Sequence, residues 1–419
     1  MKIKNKIKMI FILLVLIIGL TYFVPSSSKD FFKLYKKEDV ASKNLKLFQS
    51  RKTKTIVINN VKWTYYTGGK GKKTILFLHG MGGAYDLWWQ QILALEQKYK
   101  VISYSLPEEI NSLTQAKNGI EKILETEKVE TFYGIGTSMG GYILQYLVQK
   151  MPNRIEKAVF GNTFPVNDLI STKNKTKSKI IPLLPEILIS KLANKQLKEK
   201  LLPAGKNSEL LAAFLPSLPF SKRQFINRYA VVIDPFSMKG SYAINKIPKL
   251  IIESDNDPLV EKKLRDELKK CYSKAQVVTF HNEGHFPYIN AAPEYNKVIT
   301  DFFDSSNPFD SIENTIHNYF SGRKLANIEL LNDAFSDTAK LYTLKNDKIL
   351  EIPLQSYLNK VKSDGKQNAT TTIVNGSIVN NMASFQTSFV YPKVSYTDYL
   401  TLMKIEGKWK IIAKTFTKN

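Results

Sequence analysis

Thr131-Phe132-Tyr133-Gly134-Ile135-Gly136-Thr137-Ser138-Met139-Gly140-Gly141-Tyr142 is the stretch on which the reading of the fold turns. Residues Gly136 to Gly140 fit the pattern G-x-S-x-G. An apolar run, Thr131–Ile135, leads into them, and a helical pattern, Met139–Gln149, leads out. The spacing predicts a strand, a turn so sharp that its neighbours must be small, and a helix. Gly136 and Gly140 supply the small neighbours, with Gly134 and Gly141 adding clearance. Such a turn holds the Ser138 hydroxyl at a helix N-terminus, near partly positive backbone amides. The competing reading is a glycine-rich turn that merely packs a helix on a sheet.

Outward from this turn, short apolar runs alternate with amphipathic ones. Strands are predicted at Thr55–Asn59, Val61–Tyr66, Thr74–Leu78, Val101–Ser105, Ile155–Phe160, Leu250–Glu253 and Gln276–Phe280. Helices are predicted at Tyr85–Gln97, 110–127, 259–272 and Pro293–Phe303. Nearly continuous apolar strands between amphipathic helices mean a mostly parallel sheet covered on both faces, an α/β fold. Residues of about 166–246 break the rhythm. Their helical pieces, interrupted by Pro182, Pro185, Pro203, Pro216 and Pro219, read as a helical cap over the sheet edge where ligands of such sheets bind. Residues 25–53 read as a lysine-rich linker or juxtamembrane helix, and 54–305 as the sheet domain. Past the polar Asp304–Pro308, residues 309–419 carry helical patterns (Ser311–Phe320, Ala326–Phe335, Pro353–Val361). Four alternating segments follow, ending in a hairpin at Gly407. This is a second, smaller α+β domain with an antiparallel sheet.

Three further elements fall at predicted strand ends. His79-Gly80-Met81-Gly82-Gly83 follows Thr74–Leu78. A nucleophile that attacks a carbonyl needs two backbone N–H groups aimed at the developing oxyanion. Met81 in this loop and Met139 after the serine are the expected donors, with Gly80 and Gly82 letting the loop pass close and His79 bracing it. His285, in Asn282-Glu283-Gly284-His285-Phe286-Pro287, is the expected general base, ahead of His281 at its strand end and His317 in the other domain. Asp257, just before Pro258, is the expected acid that orients the histidine, and Asp255 is its alternative. Either aspartate would also suit a helix N-cap.

Composition narrows the rest. The chain has 419 residues and one cysteine, Cys271, which excludes an internal disulfide and a cysteine-based metal site. No metal or organic cofactor is expected. The formal net charge is +24. Its lysines are scattered and accompany no nucleic-acid motif, so they read as solubilising surface. At the N-terminus Lys2, Lys4, Lys6 and Lys8 precede an apolar run from Met9 to Leu20 that extends towards Val24. Residues 1–24 therefore read as an uncleaved signal-anchor or a cleaved signal peptide. Either places the remainder outside the cytoplasm, membrane-anchored or exported.

These elements together resemble the α/β-hydrolase superfamily over about residues 54–305. The segment from Gly136 to Ile155 is especially similar to its lipase/esterase and maspardin-like branches. The sequence departs from the family pattern at Ser103-Tyr104-Ser105-Leu106-Pro107-Glu108-Glu109 and at Ser254, which stands where a glycine is usual. The resemblance implies a serine hydrolase acting on a carboxylic ester through Ser138, His285 and Asp257. Alternatives are a non-catalytic, maspardin-like binding protein, or cleavage of thioesters or C–C bonds. The apolar cap and Trp88-Trp89 suggest an acyl or other lipophilic small-molecule substrate, although packing would explain the tryptophans equally. The C-terminal residues, through Tyr396-Thr397-Asp398-Tyr399 and Gly407-Lys408-Trp409, resemble the nuclear-transport-factor-2-like superfamily in its lumazine-binding or SnoaL-like branch. That resemblance implies a curved sheet enclosing a cone, with Tyr396, Asp398 and Tyr399 as candidate pocket residues and a homodimer through the sheet as an alternative use.

Overall fold

The computed structural model describes residues 21–22 and 25–419. The chain forms two compact units. The first ends at Lys239 and resumes over Ile247–Asp304; the second comprises Gly240–Lys246 and Ser305–Asn419. The expected anchor at 1–24 lies largely outside the described residues. Among those described, no helix is long and apolar enough to cross a membrane.

In the first unit eight strands form one sheet: β1 (Lys54–Ile58), β2 (Val61–Gly68), β3 (Thr74–Leu78), β4 (Lys100–Ser105), β5 (Phe132–Thr137), β6 (Ile155–Gly161), β7 (Lys249–Ser254) and β8 (Gln276–Phe280). Their order is β1-β2-β4-β3-β5-β6-β7-β8. Only β1/β2 and β2/β4 pair antiparallel; every later pair is parallel. Every residue of β3 and β5 is buried, as strands covered by helices on both faces require. This is the mostly parallel, doubly covered sheet that the alternating apolar runs predicted, in the arrangement the resemblance implied. β3, β5, β6, β7 and β8 are adjacent and parallel, so their C-terminal ends share one edge, and each candidate site residue follows one of these ends.

Two segments differ from the sequence reading. Residues 25–53 are not a linker. Helices Phe31–Leu34 and Val40–Gln49, capped by Asp30 and Asp39, bury Phe31, Leu45 and Phe48 in the main core. Arg51 then pairs with Glu96, its Nη2 lying 2.9 Å from Oε1. The high lysine content hid a helix with one apolar face. The helix expected at Tyr85–Gln97 is shorter, Trp89–Leu95. Trp88 and Trp89 are fully buried, Trp88 against Phe77 and Tyr288 and Trp89 against Phe214. They are core residues and do not face a substrate.

The cap closes with helix Lys222–Ile233, whose start is fixed by a capping box between Ser221 and Gln224. The seven residues after Lys239 belong to the second unit rather than to the cap.

The second unit packs helices Pro308–Leu325, Ile328–Ala334 and Leu354–Asp364 with a six-stranded sheet ordered β10-β9-β14-β13-β12-β11. Four strands fall where alternation predicted them: β11 (Thr370–Val379), β12 (Met382–Tyr391), β13 (Val394–Ile405) and β14 (Lys408–Lys418). A hairpin of β9 (Phe335–Lys345) and β10 (Lys348–Pro353) interrupts the expected helical run, and β9 pairs parallel with β14. Of the candidate pocket residues here, Tyr399 is 52% exposed, while Asp398 is buried. Asp398 accepts from Tyr319 Oη at 2.5 Å and lies 3.2 Å from Lys414 Nζ, which itself donates to Tyr319. Burial pushes the Lys414 ammonium down against the pull of Asp398. Only Tyr396 lines a cleft, one of about 400 Å³ shared with Arg323, Tyr391 and Lys393.

Candidate active site

Ser138 stands between β5 and helix Met139–Lys150 with φ 53° and ψ −121°. This is a conformation that non-glycine residues avoid and that surrounding structure must hold in place. Three hydrogen bonds do so here. Ser138 N donates to Gly161 O at 3.0 Å, while Ser138 O accepts from Thr163 Oγ1 at 2.6 Å and from Tyr142 N at 3.1 Å. A Cβ on Gly136 would come within 2.3 Å of Gly140 O, and one on Gly140 within 2.1 Å of Leu78 O. Neither position tolerates a side chain, because the helix starts hard against the strand ends.

Asp257 follows β7 and His285 follows β8. His285 Nδ1 lies 2.8 and 3.0 Å from the two oxygens of Asp257, and both side chains are buried. Asp257 Oδ1 also accepts from the amides of Leu259 and Val260, at 2.8 and 3.1 Å, so it braces its own loop while holding the ring. Asn162, at the end of β6, donates to Asp257 Oδ2 at 2.9 Å. Burial would raise the Asp257 carboxyl; the charge and hydrogen bond of His285, with the hydrogen bond of Asn162, outweigh it and hold the pKa below the usual range. The carboxylate is thus ionised and fixes the imidazole with Nδ1–H towards it, leaving Nε2 as a base. Asp255 does not reach His285. It pairs with His281 at 2.8 Å, in an exposed couple. His317 lies on helix Pro308–Leu325 of the other unit.

The loop after β3 is braced from two sides. His79 Nδ1 lies 2.7 Å from Gly80 O, and Leu106 N donates to Nε2 at 2.9 Å. Burial, then the nearby Arg228 charge, pushes the His79 pKa down to about 3, so the ring is a neutral strut. Arg228 itself comes from the cap helix Lys222–Ile233 and is buried. Its guanidinium donates to Met81 O at 2.7 Å, Gly83 O at 2.9 Å and Leu106 O at 2.8 Å. A cap residue therefore fixes the backbone of the loop that carries the Met81 amide. A Cβ on Gly80 would lie 3.3 Å from Ser138 Cβ, which puts this loop directly over the serine. Gly82 faces open space, so close passage does not explain its glycine. Met139 is the first residue of its helix, where an N–H has no intrahelical acceptor.

Ser138, His285, Gly80 and Met81 line a cavity of about 600 Å³ that the cap also walls, through Leu197, Leu218 and Val232 among others. Asn162 and Arg228 went unnoticed in the sequence. Asn162 carries no local signal, because its role exists only once β6, β7 and β8 lie side by side. Arg228 is one cation among many until its burial is known.

An eight-stranded, mostly parallel sheet with a serine on a strained turn and an acid–histidine pair at one edge has the architecture of the α/β-hydrolase fold. Residues 73–198 match the family model described as "alpha/beta hydrolase fold", and residues 307–417 match that described as "Putative lumazine-binding". The chain is a hydrolase that joins an α/β-hydrolase domain to a domain matched by a lumazine-binding family model. It is 22% identical over 247 residues to a pimeloyl-[acyl-carrier protein] methyl ester esterase of Hamiltonella defensa, covering 57% of this chain and 95% of that protein. It is 22% identical over 259 residues to Lipase 1 of Psychrobacter immobilis, covering 54% and 75%. A solved hydrolase of Pseudomonas aeruginosa superposes with a TM-score of 0.53 at 17% identity, covering 61% of this chain and all of that one.

Proposed function

We propose that the first unit is a serine esterase for carboxylic esters with a lipophilic acyl part. The observation that carries this reading is the buried Asp257–His285 pair opening onto the same cavity as Ser138. In the proposed reaction Ser138 Oγ attacks the carbonyl carbon as His285 Nε2 takes its proton. The amides of Met81 and Met139 hold the oxyanion. Collapse breaks the ester C–O bond, and His285 returns the proton to the departing alcohol. Water, deprotonated by the same histidine, then attacks the acyl carbon; the bond to Ser138 Oγ breaks, His285 returns the proton to that oxygen, and the acid leaves. Asp257 stabilises the imidazolium formed in each half. The apolar cap wall supports the acyl preference, as do the names of the esterase and lipase relatives.

The test is incubation of the full chain with a fluorophosphonate and with p-nitrophenyl esters of rising chain length. Covalent labelling of Ser138 and turnover that improves with acyl length are expected. Folded protein that neither labels nor turns over these esters would refute the reading.

A further inference from the structure

The cap carries a surface that the cavity does not explain. Between Lys173 and Lys200 lie eight lysines, all exposed, against only Glu186 and Glu199. Lys175, Lys177, Lys179, Lys191, Lys198 and Lys200 have no carboxylate partner among the described residues. The same segment exposes Ile180, Leu183, Leu188 and Leu192, with Leu183 70% exposed. Leu188 and Leu192 stand one turn apart on helix Glu186–Gln196, whose inner face buries Ile189, and Lys191 and Lys195 flank them. Exposed leucines among lysines, most of them without a carboxylate partner among the described residues, are poorly suited to water and well suited to an anionic interface, where the apolar side chains enter the headgroup boundary and the ammonium groups meet phosphates.

A second observation fixes where the chain comes from. Tyr22 Oη donates to Leu183 O at 2.7 Å, and Ser26 N donates to Glu186 Oε1 at 2.7 Å. Lys222 Nζ sits 5.9 Å above the Tyr22 ring. The residues that directly follow the apolar run Met9–Leu20 are thus tied to the exposed leucine face. Ser26 to Lys29 continue from there along the wall of the Ser138 cavity, as do Lys173 and Lys177.

We propose that this cap face docks on an anionic phospholipid bilayer, inserting Leu183, Leu188 and Leu192 and bringing the cavity wall to the lipid surface. The proposal does not depend on the esterase reading, and its readout is fluorescence rather than turnover. A Leu188→Cys variant of the full chain, with the exposed Cys271 replaced by Ser, carries an environment-sensitive fluorophore. A second probe replaces the exposed Lys274, before β8, at the opposite sheet edge. On phosphatidylglycerol–phosphatidylcholine vesicles the probe at 188 is expected to shift to the blue and to be quenched by brominated lipids, while the probe at 274 does neither. Lys175→Glu, Lys177→Glu and Lys179→Glu together are expected to abolish the response at 188. Three results would overturn the proposal. The probe at 188 stays aqueous on vesicle-bound protein, it responds equally on pure phosphatidylcholine, or it becomes protected without vesicles as protein concentration rises, which would mark a contact between copies of the chain.

Discussion

Two aspartate–histidine couples join the loops after β7 and β8, their aspartates two residues apart and their histidines four, and burial separates them. Asp257–His285 is closed off from water; Asp255–His281 is exposed, where an ion pair contributes little. Asp257→Asn is therefore predicted to lower kcat/KM on a p-nitrophenyl ester by roughly 10⁴-fold, the effect of losing an orienting acid. Asp255→Asn is predicted to change it less than about threefold, since it touches no cavity residue. His79 gives a pH dependence with a definite sign. Its folded pKa is depressed from 6.5 to about 3, so below pH 6.5 the unfolded chain binds a proton that the native chain refuses. Stability therefore falls as pH falls between those values, by roughly 2 kcal/mol at pH 5. Urea midpoints at pH 7 and pH 5 check this, and His79→Gln is expected to remove that part of the slope. At this scale the sequence exposed residues whose neighbours in the chain announce them: Ser138 by its glycines, His285 and Asp257 by the strands before them. Asn162 and Arg228 are defined by neighbours distant in the chain, and nothing adjacent marks them.

Among the elements, the cap helix Lys222–Ile233 reaches below the cavity to the loop after β3 through Arg228. Three backbone carbonyls share that guanidinium and, among the described residues, no carboxylate does. Arg228→Leu leaves them unpaired in a buried place and frees the loop that carries the Met81 amide. We predict a lowered melting temperature and a kcat reduced by roughly 10²-fold, the scale expected when a catalytic group is misplaced by an ångström. Arg228→Lys keeps the charge but not the fork, and is expected to recover more stability than kcat. Helix Val40–Gln49 with its short predecessor is equally integral. Deleting residues 25–53 strips Phe31, Leu45 and Phe48 from the core, a loss on the order of 5 kcal/mol, and is expected to give aggregated or protease-sensitive protein. β3 and β8 were legible to the residue, because five-residue runs rich in apolar and β-branched side chains between turn signals are too short for a helix. The β9–β10 hairpin was not. Its strands are half-exposed and lysine-rich, and the Asn346-Asp347 turn, with both φ positive, was the one available signal.

For the whole molecule, the order of folds along the chain was readable from hydrophobic patterning and the polar break at Asp304–Pro308, but the path of the chain between them was not. Gly240–Lys246 leaves the first unit, lies in the second, and returns to begin β7. Within the second unit Tyr242 donates to Glu313 and packs on the rings of Phe309 and Phe385, and Ile244 is buried. A fragment covering only 305–419 is therefore predicted to be less stable than the same unit within the full chain, and Tyr242→Ala in the full chain to lower the melting of the second unit selectively. Calorimetry resolving two transitions would check both. The excursion also orders events on the ribosome. Residues through Asp304 suffice to complete the hydrolase sheet, yet Tyr242 and Ile244 must wait for Phe309 and then for β12, well over a hundred residues later. At about 5–20 residues per second, that wait lasts on the order of ten seconds. For the last eighty or so residues of that wait, a finished hydrolase fold carries an unsheltered apolar loop, which the last strands of the chain, once made, gather in.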